Sequence, residues 1–182
     1  MKEYFLLYIH GYGSNRESRK FAELKEVMPN VPATIFEWDE NTNFEFFLET
    51  AMNHTAEMKD LILVGDSTGA NLAYQLREKR NEEGLNTVLV LTSPLLDYDK
   101  RLNTELQFTE NLQNSLVKID KIEDALIILS KNDESLDFSQ FDIKKDTKDS
   151  TVIYVEDTHR LEEFRSYVGY VIGYIVSQNN KE

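Results

Sequence analysis

Six short runs dominated by apolar residues recur along this chain, separated by segments that carry helical periodicity. The runs are Phe5–Ile9, Ala33–Phe36, Leu61–Val64, Val88–Leu91, Ala125–Leu129 and Val152–Val155. Apolar runs this short, with little alternation of polar residues, read as strands covered on both faces. Between them, Phe21, Leu24, Val27 and Met28 repeat at helical spacing, and Pro29 and Pro32 close that helix. Phe44, Phe47, Leu48, Ala51 and Met52 mark a second helix. A third is predicted from about Ser67 to Arg80, and a last one with Leu161, Phe164, Val168, Val171, Ile172 and Ile175 on one face. Strands alternating with helices demand βαβ units with right-handed crossovers. The expected architecture is a single α/β domain over residues 1–182, a three-layer sandwich around a mostly parallel six-stranded sheet.

Two stretches fit neither pattern. Pro94 to Asp124 has scattered apolar residues and no clear strand, and is read as a helical or irregular excursion over the top of the sheet. Connections that long inside a compact domain usually serve function. Residues 139 to 150 read as a solvated connection, and the tail from Gln178 as frayed. No internal repeat, low-complexity tract or linker interrupts the pattern.

Composition narrows the partners. The formal net charge is −13, which repels phosphate backbones and anionic headgroups, so neither nucleic acid nor a membrane surface is expected. The absence of cysteine excludes a disulfide framework, a thiolate nucleophile and a Cys-ligated zinc. No apolar stretch approaches the roughly 20 residues that cross a bilayer. The opening strand is too short for a secretory h-region, so the expected location is cytoplasmic.

Chemistry concentrates at Gly65-Asp66-Ser67-Thr68-Gly69, directly after the third strand and directly before a helix. That is the setting a G-x-S-x-G nucleophile elbow requires. The turn is so tight that residues two before and two after the serine must be small. It holds the hydroxyl at the carboxyl edge of the sheet, at a helix start whose dipole favours negative charge. Serine also caps helices, so the motif has a purely structural reading as well.

A serine nucleophile needs a base, and the chain has three histidines. His54 falls in line with Phe47, Ala51 and Met58 on the second helix, as a core or fringe residue. His10 ends the first strand and braces the turn at Gly11. His159 follows the last strand after Glu156-Asp157-Thr158, in a loop that a parallel sheet brings to the same edge as Ser67. It is the candidate general base.

An acid should orient the imidazole. Asp133 follows the fifth strand and completes the chain order Ser, Asp, His. Glu134 and Asp137 nearby, and Asp97 after the fourth strand, remain competitors. An oxyanion hole would take one N–H from Thr68 and another from the loop His10-Gly11-Tyr12-Gly13-Ser14-Asn15, with Tyr12 as donor. Tyr12, Leu95 and Tyr98, with Leu96 and Phe108, are candidates to line an apolar substrate pocket. No dinucleotide or P-loop fingerprint and no metal-ligand spacing is present, so no cofactor or metal is expected.

His-Gly-Tyr-Gly-Ser-Asn after the first strand, the elbow Gly-Asp-Ser-Thr-Gly-Ala-Asn-Leu-Ala, Asp133 and His159 together resemble the α/β-hydrolase superfamily over nearly the whole chain. In size and opening the chain is similar to the small lidless YqiA-type esterases and the retinoblastoma-binding serine hydrolases, which lack the first antiparallel strands of the full fold. The elbow and Ser93-Pro94-Leu95-Leu96-Asp97 also resemble the hormone-sensitive-lipase branch, but this chain is shorter and carries His-Gly-Tyr-Gly in place of a triple-glycine loop.

The resemblance implies an α/β-hydrolase fold with a truncated N-terminus. It also implies a carboxylesterase-type serine hydrolase acting on a small-molecule ester or thioester, with Ser67, Asp133 and His159 as triad. With little chain for a lid, an open site and small soluble acyl substrates are expected. The same scaffold also occurs in catalytically silent binding proteins, which is the alternative reading. Oligomeric state is not legible.

Overall fold

The computed structural model describes residues 3–139 and 147–179. Its elements follow in order: β1 (Phe5–Ile9), α1 (Arg19–Val27), β2 (Ala33–Phe36), α2 (Phe44–Thr55), β3 (Asp60–Asp66), α3 (Thr68–Glu82) and β4 (Asn86–Thr92). A 3-10 turn (Tyr98–Lys100), α4 (Glu110–Ser115), β5 (Ile122–Glu123), β6 (Ala125–Ser130), β7 (Thr147–Lys148), β8 (Thr151–Val155) and α5 (Phe164–Gln178) complete the chain.

The main sheet has the order β2-β1-β3-β4-β6-β8, and every pairing in it is parallel. Each of its strands covers one of the six apolar runs. Alternate residues of each strand point to opposite faces, and both faces are covered. Leu7, Ile9, Leu61, Leu63, Leu89 and Leu91 pack with Phe44, Phe47, Leu72, Leu76 and Leu112 of α2, α3 and α4. Leu6, Tyr8, Ile62, Val64, Val88 and Val90 pack with Phe21 and Leu24 of α1 and Phe164, Val168 and Val171 of α5. Three layers result, and burial on both sides is why the runs are apolar without alternation.

The order reverses at β1: the chain steps outward to β2, then returns past β1 to β3. The switch point therefore lies between the carboxyl ends of β1 and β3, where open parallel sheets form their crevice. Gly69 makes this junction possible. A Cβ there would stand 2.3 Å from the carbonyl oxygens of Ile9 and His10, so only glycine lets α3 press against the end of β1.

Three sequence expectations are corrected. Pro94 to Asp124 does contain a strand, β5, which pairs in parallel with β7 in a second, two-stranded sheet. Two residues are too few to show a period. Of the stretch 139 to 150, residues 140–146 lie outside the described residues and its end forms β7 instead of a loop. Residues 180–182 of the tail lie outside them too. On the last helix, Ile172 is exposed, and Leu161, though buried, precedes the helix. Its backbone has φ +48° and its N–H donates to Thr158 O, closing a turn before α5 begins.

Among the described residues no helix is long and apolar enough to cross a membrane.

Candidate active site

Ser67 sits between β3 and α3 at φ +52° and ψ −116°. A β-carbon in that region costs roughly 1–3 kcal/mol, which surrounding structure must hold in place. Here the peptide is tied on three sides. Ser67 N–H donates to Thr92 O at 2.9 Å, and Ser67 O accepts from Ala70 N–H and Leu95 N–H, each at 3.0 Å. The strained turn aims the hydroxyl at the loop after β8.

His159 meets it there. Its Nε2 lies 2.8 Å from Ser67 Oγ, and its Nδ1 lies 2.8 Å from Asp133 Oδ2. A carboxylate only accepts, so Nδ1 carries the proton and, in the neutral ring, Nε2 accepts from the serine hydroxyl. Asp133 is itself fixed: its Oδ1 accepts from Ser135 N–H at 2.9 Å and Leu136 N–H at 2.8 Å. One oxygen serves the turn and the other the imidazole. The side chain of Asp133 is 2% exposed and that of His159 16%, so the acid end of the relay is shielded from water.

The competing acids are occupied elsewhere. Glu134 accepts from His159 N–H at 3.0 Å, gripping the backbone and not the ring. Asp137 accepts from Ser139 N–H, and hydrogen bonding from the Ser139 hydroxyl and N–H, with the neighbouring Lys100, holds its carboxyl below the usual range. Asp97 accepts from Asp99 N–H at the 3-10 turn. The other histidines face away. His10 is buried, stacks on Trp38 with ring centroids 5.4 Å apart, and engages Gly11 O through Nδ1 and Trp38 N–H through Nε2. Burial pushes its pKa down, so it stays neutral. His54 is exposed, its ring beside Phe5 and Phe36.

Loops complete the rim. A Cβ on Gly11 would be 3.2 Å from Ser67 Cβ, so the loop carrying Tyr12 passes directly beside the serine. Thr68 is the first residue of α3, where a backbone N–H has no intrahelical acceptor. The Tyr12 ring stacks on Phe108 at 4.7 Å and its hydroxyl donates to Glu40. Phe108 meets Tyr98 at 5.6 Å, and the Arg101 guanidinium lies 3.8 Å from the Tyr98 ring centroid. The excursion thus builds an aromatic shelf next to Tyr12.

Leu95, a candidate pocket residue, is 1% exposed and belongs to the core. Its backbone, not its side chain, serves the site, through the bond to Ser67 O.

Three contributors were not singled out from the sequence. Asn71, one turn into α3, ties the start of the excursion to the stretch after α4: its Nδ2 donates to Leu95 O and Val117 O, and its Oδ1 accepts from Val117 N–H. Arg101 fastens the shelf by donating to Tyr98 O and Leu106 O. Asp157 organises the histidine loop, taking the N–H groups of Thr158, Glu162 and Glu163. Ser130 Oγ also donates to Asp157 O. The signal for Asp157 was an acid in a tight polar turn, where a carboxylate takes nearby backbone N–H groups.

Burial opposes ionisation of Asp157, but those N–H groups and the Tyr167 hydroxyl outweigh it and its pKa is lowered. A carboxyl lowered on folding stabilises fully above its unfolded pKa of about 3.9, and that contribution is lost as pH falls through the folded value. Asp157→Ala is therefore expected to lower Tm at neutral pH and to flatten the fall of Tm in acid. Melts of both proteins from about pH 2.5 to 7 check it, and equal acid slopes would contradict it.

No family model matches the chain, and no curated protein matches it. Solved structures do. One is described as a hydrolase of the alpha/beta superfamily from Xanthomonas campestris pv. campestris, with TM-score 0.69 and 15% identity over 98% of this chain and 99% of that one. Another comes from work on LipS and LipT, two metagenome-derived lipolytic enzymes, with TM-score 0.67 and 13% identity over 96% and 94%. A third is the type II thioesterase BorB from the borrelidin biosynthetic cluster, with TM-score 0.71 and 12% identity over 94% and 90%. At such identities likeness shows architecture alone, and the architecture of this chain is the α/β-hydrolase fold.

Proposed function

We propose that the chain is a serine hydrolase that cleaves small carboxylic esters or thioesters through an acyl-enzyme. The observation that carries this reading is the continuous relay Ser67 Oγ, His159 Nε2, His159 Nδ1, Asp133 Oδ2, with both links at 2.8 Å. The neighbours named above include lipolytic enzymes and a thioesterase, which supports acyl transfer as the reaction class.

In the mechanism that follows, Ser67 Oγ attacks the acyl carbon while His159 Nε2 takes its proton. Asp133 stabilises the resulting imidazolium and holds its orientation. The carbonyl oxygen gains a negative charge, received by the N–H groups of Thr68 and Tyr12, each such donor worth about 3 kcal/mol. The tetrahedral intermediate collapses, His159 gives its proton to the leaving alcohol or thiol, and an acyl-Ser67 remains. Water enters, His159 removes its proton, and a second collapse releases the acid and restores the serine. Tyr12 and Tyr98, with Phe108, supply the aromatic shelf beside the acyl group. A cysteine-free chain suits a reducing compartment such as the cytoplasm.

A fluorophosphonate probe tests the reading. Native protein is expected to take one label on Ser67, located by mass spectrometry, and Ser67→Ala none. Hydrolysis of short nitrophenyl esters should rise with pH as an imidazole loses its proton. No labelling of native protein, or equal labelling of the alanine variant, would leave a binding protein as the better description.

A further inference from the structure

Lysine is rarely buried, yet Lys20 in the first turn of α1 is 5% exposed. Its Nζ donates to Asp66 Oδ1 at 2.5 Å. Asp66 is the residue immediately before Ser67. The same Oδ1 accepts from Thr92 Oγ1 at 2.7 Å, at the end of β4, and Oδ2 stands 3.7 Å from where a Cβ on Gly11 would be. One carboxylate thereby ties α1 to β4 and lies beside the loop of Tyr12, from a position adjoining the serine.

The neighbouring residue extends the arrangement. Arg19 donates through Nη2 to Arg160 O at 3.2 Å and Leu161 O at 2.7 Å, in the loop that carries His159. Two consecutive residues of α1 therefore hold the two loops whose side chains must meet.

As a source of stability the pair is poor, because desolvating both ions offsets most of their attraction. Its chemical consequence is local neutrality. Without Lys20, a bare carboxylate would sit one residue before the serine and beside the loop of Tyr12, and a negative charge there opposes a developing oxyanion.

Resting on the reading of Ser67 as nucleophile, we propose that Lys20 is a positioning residue: its ammonium, paired with Asp66, cancels the carboxylate's charge beside the serine and the loop of Tyr12. The pair acts on the reaction and not on substrate capture, so kcat should respond and KM should not.

The experiment compares wild type, Lys20→Met and the double variant Lys20→Met/Asp66→Asn, using nitrophenyl acetate turnover, fluorophosphonate inactivation rate and thermal melts. Lys20→Met is expected to lower kcat and the inactivation rate by about tenfold or more, with KM within about twofold. The double variant replaces the charged pair by a neutral one of similar shape and should regain at least about a third of wild-type kcat. Lys20→Gln, which can donate but carries no charge, takes the place of Lys20→Met if that protein does not fold, with the same loss expected.

A kcat within about twofold of wild type in the single variant, a loss confined to KM, or a double variant no better than the single one would overturn the proposal. Wild type that fails to label would overturn the serine-hydrolase reading instead, so the two failures are distinguishable.

Discussion

Alanine at Ser67 or at His159 is expected to lower ester-hydrolysis kcat by about a millionfold, and asparagine at Asp133 by about ten-thousandfold. In the proposed mechanism the serine and the imidazole form and break bonds as one unit, so losing either removes covalent catalysis altogether. The double variant Ser67→Ala/His159→Ala should be no worse than either single change. Asp133→Asn fails for a different reason. The asparagine oxygen can still accept from Ser135 and Leu136 N–H, as Asp133 Oδ1 does, so the turn survives. Its amide, however, donates where Oδ2 accepted. The imidazole then places its N–H on Nε2, facing Ser67 Oγ, and can no longer take the hydroxyl proton. Steady-state turnover with thermal melts checks this: a variant that melts like wild type yet loses turnover fits, and turnover within about tenfold of wild type would contradict it.

The second large effect concerns stability far from the chemistry. Arg80, near the end of α3, is 0% exposed, and its guanidinium is held by backbone and hydroxyl oxygens. Its N–H groups instead serve Thr55 O at 2.6 Å, Met58 O at 2.8 Å, Asn86 O at 3.2 Å and Thr87 Oγ1 at 2.9 Å. One side chain thus caps the carboxyl end of α2, the turn beyond it and the start of β4. Burial pushes its pKa down to about 10, which leaves it charged at neutral pH.

Methionine matches the stem but satisfies none of the four acceptors, and each acceptor stranded in the interior costs about 1–3 kcal/mol. Arg80→Met is expected to lose about 3 kcal/mol or more, a fall in Tm of roughly 6–12 °C. Lysine should recover only part of this, since one ammonium cannot reach all four groups. Ser67 lies at the other end of a helix roughly 20 Å long, so kcat of the folded fraction should be unchanged. A Tm within about 2 °C of wild type would contradict the argument.

Much of this was legible in the residue order. Leu61 to Val64 announces a strand covered on both faces, and the small residues of Gly65-Asp66-Ser67-Thr68-Gly69 announce the tight turn after it. These are local properties: burial on two sides selects apolar side chains, and a sharp strand-to-helix turn leaves no room for a Cβ at Gly69. His159 could be separated from His10 and His54 because each lies in a distinct local setting. Asp133 could not be separated from Glu134, Asp137 and Asp97 in that way, since carboxylates in polar loops share one local pattern. Leu95, read as a pocket residue, belongs to the core, and nothing local marks Lys20 as buried against the residue before the serine.

Residue order by itself therefore determined the six parallel strands, the tight turn at Ser67 and the choice of His159 as the histidine at its edge, because periodicity and turn sterics act within a few residues. Tertiary structure decided which acid completes the relay, how Asn71 and Arg101 fasten the excursion, and that α1 reaches both loops of the site. Those outcomes depend on hydrogen bonds between segments up to 142 positions apart, and such bonds leave no periodic trace along the chain.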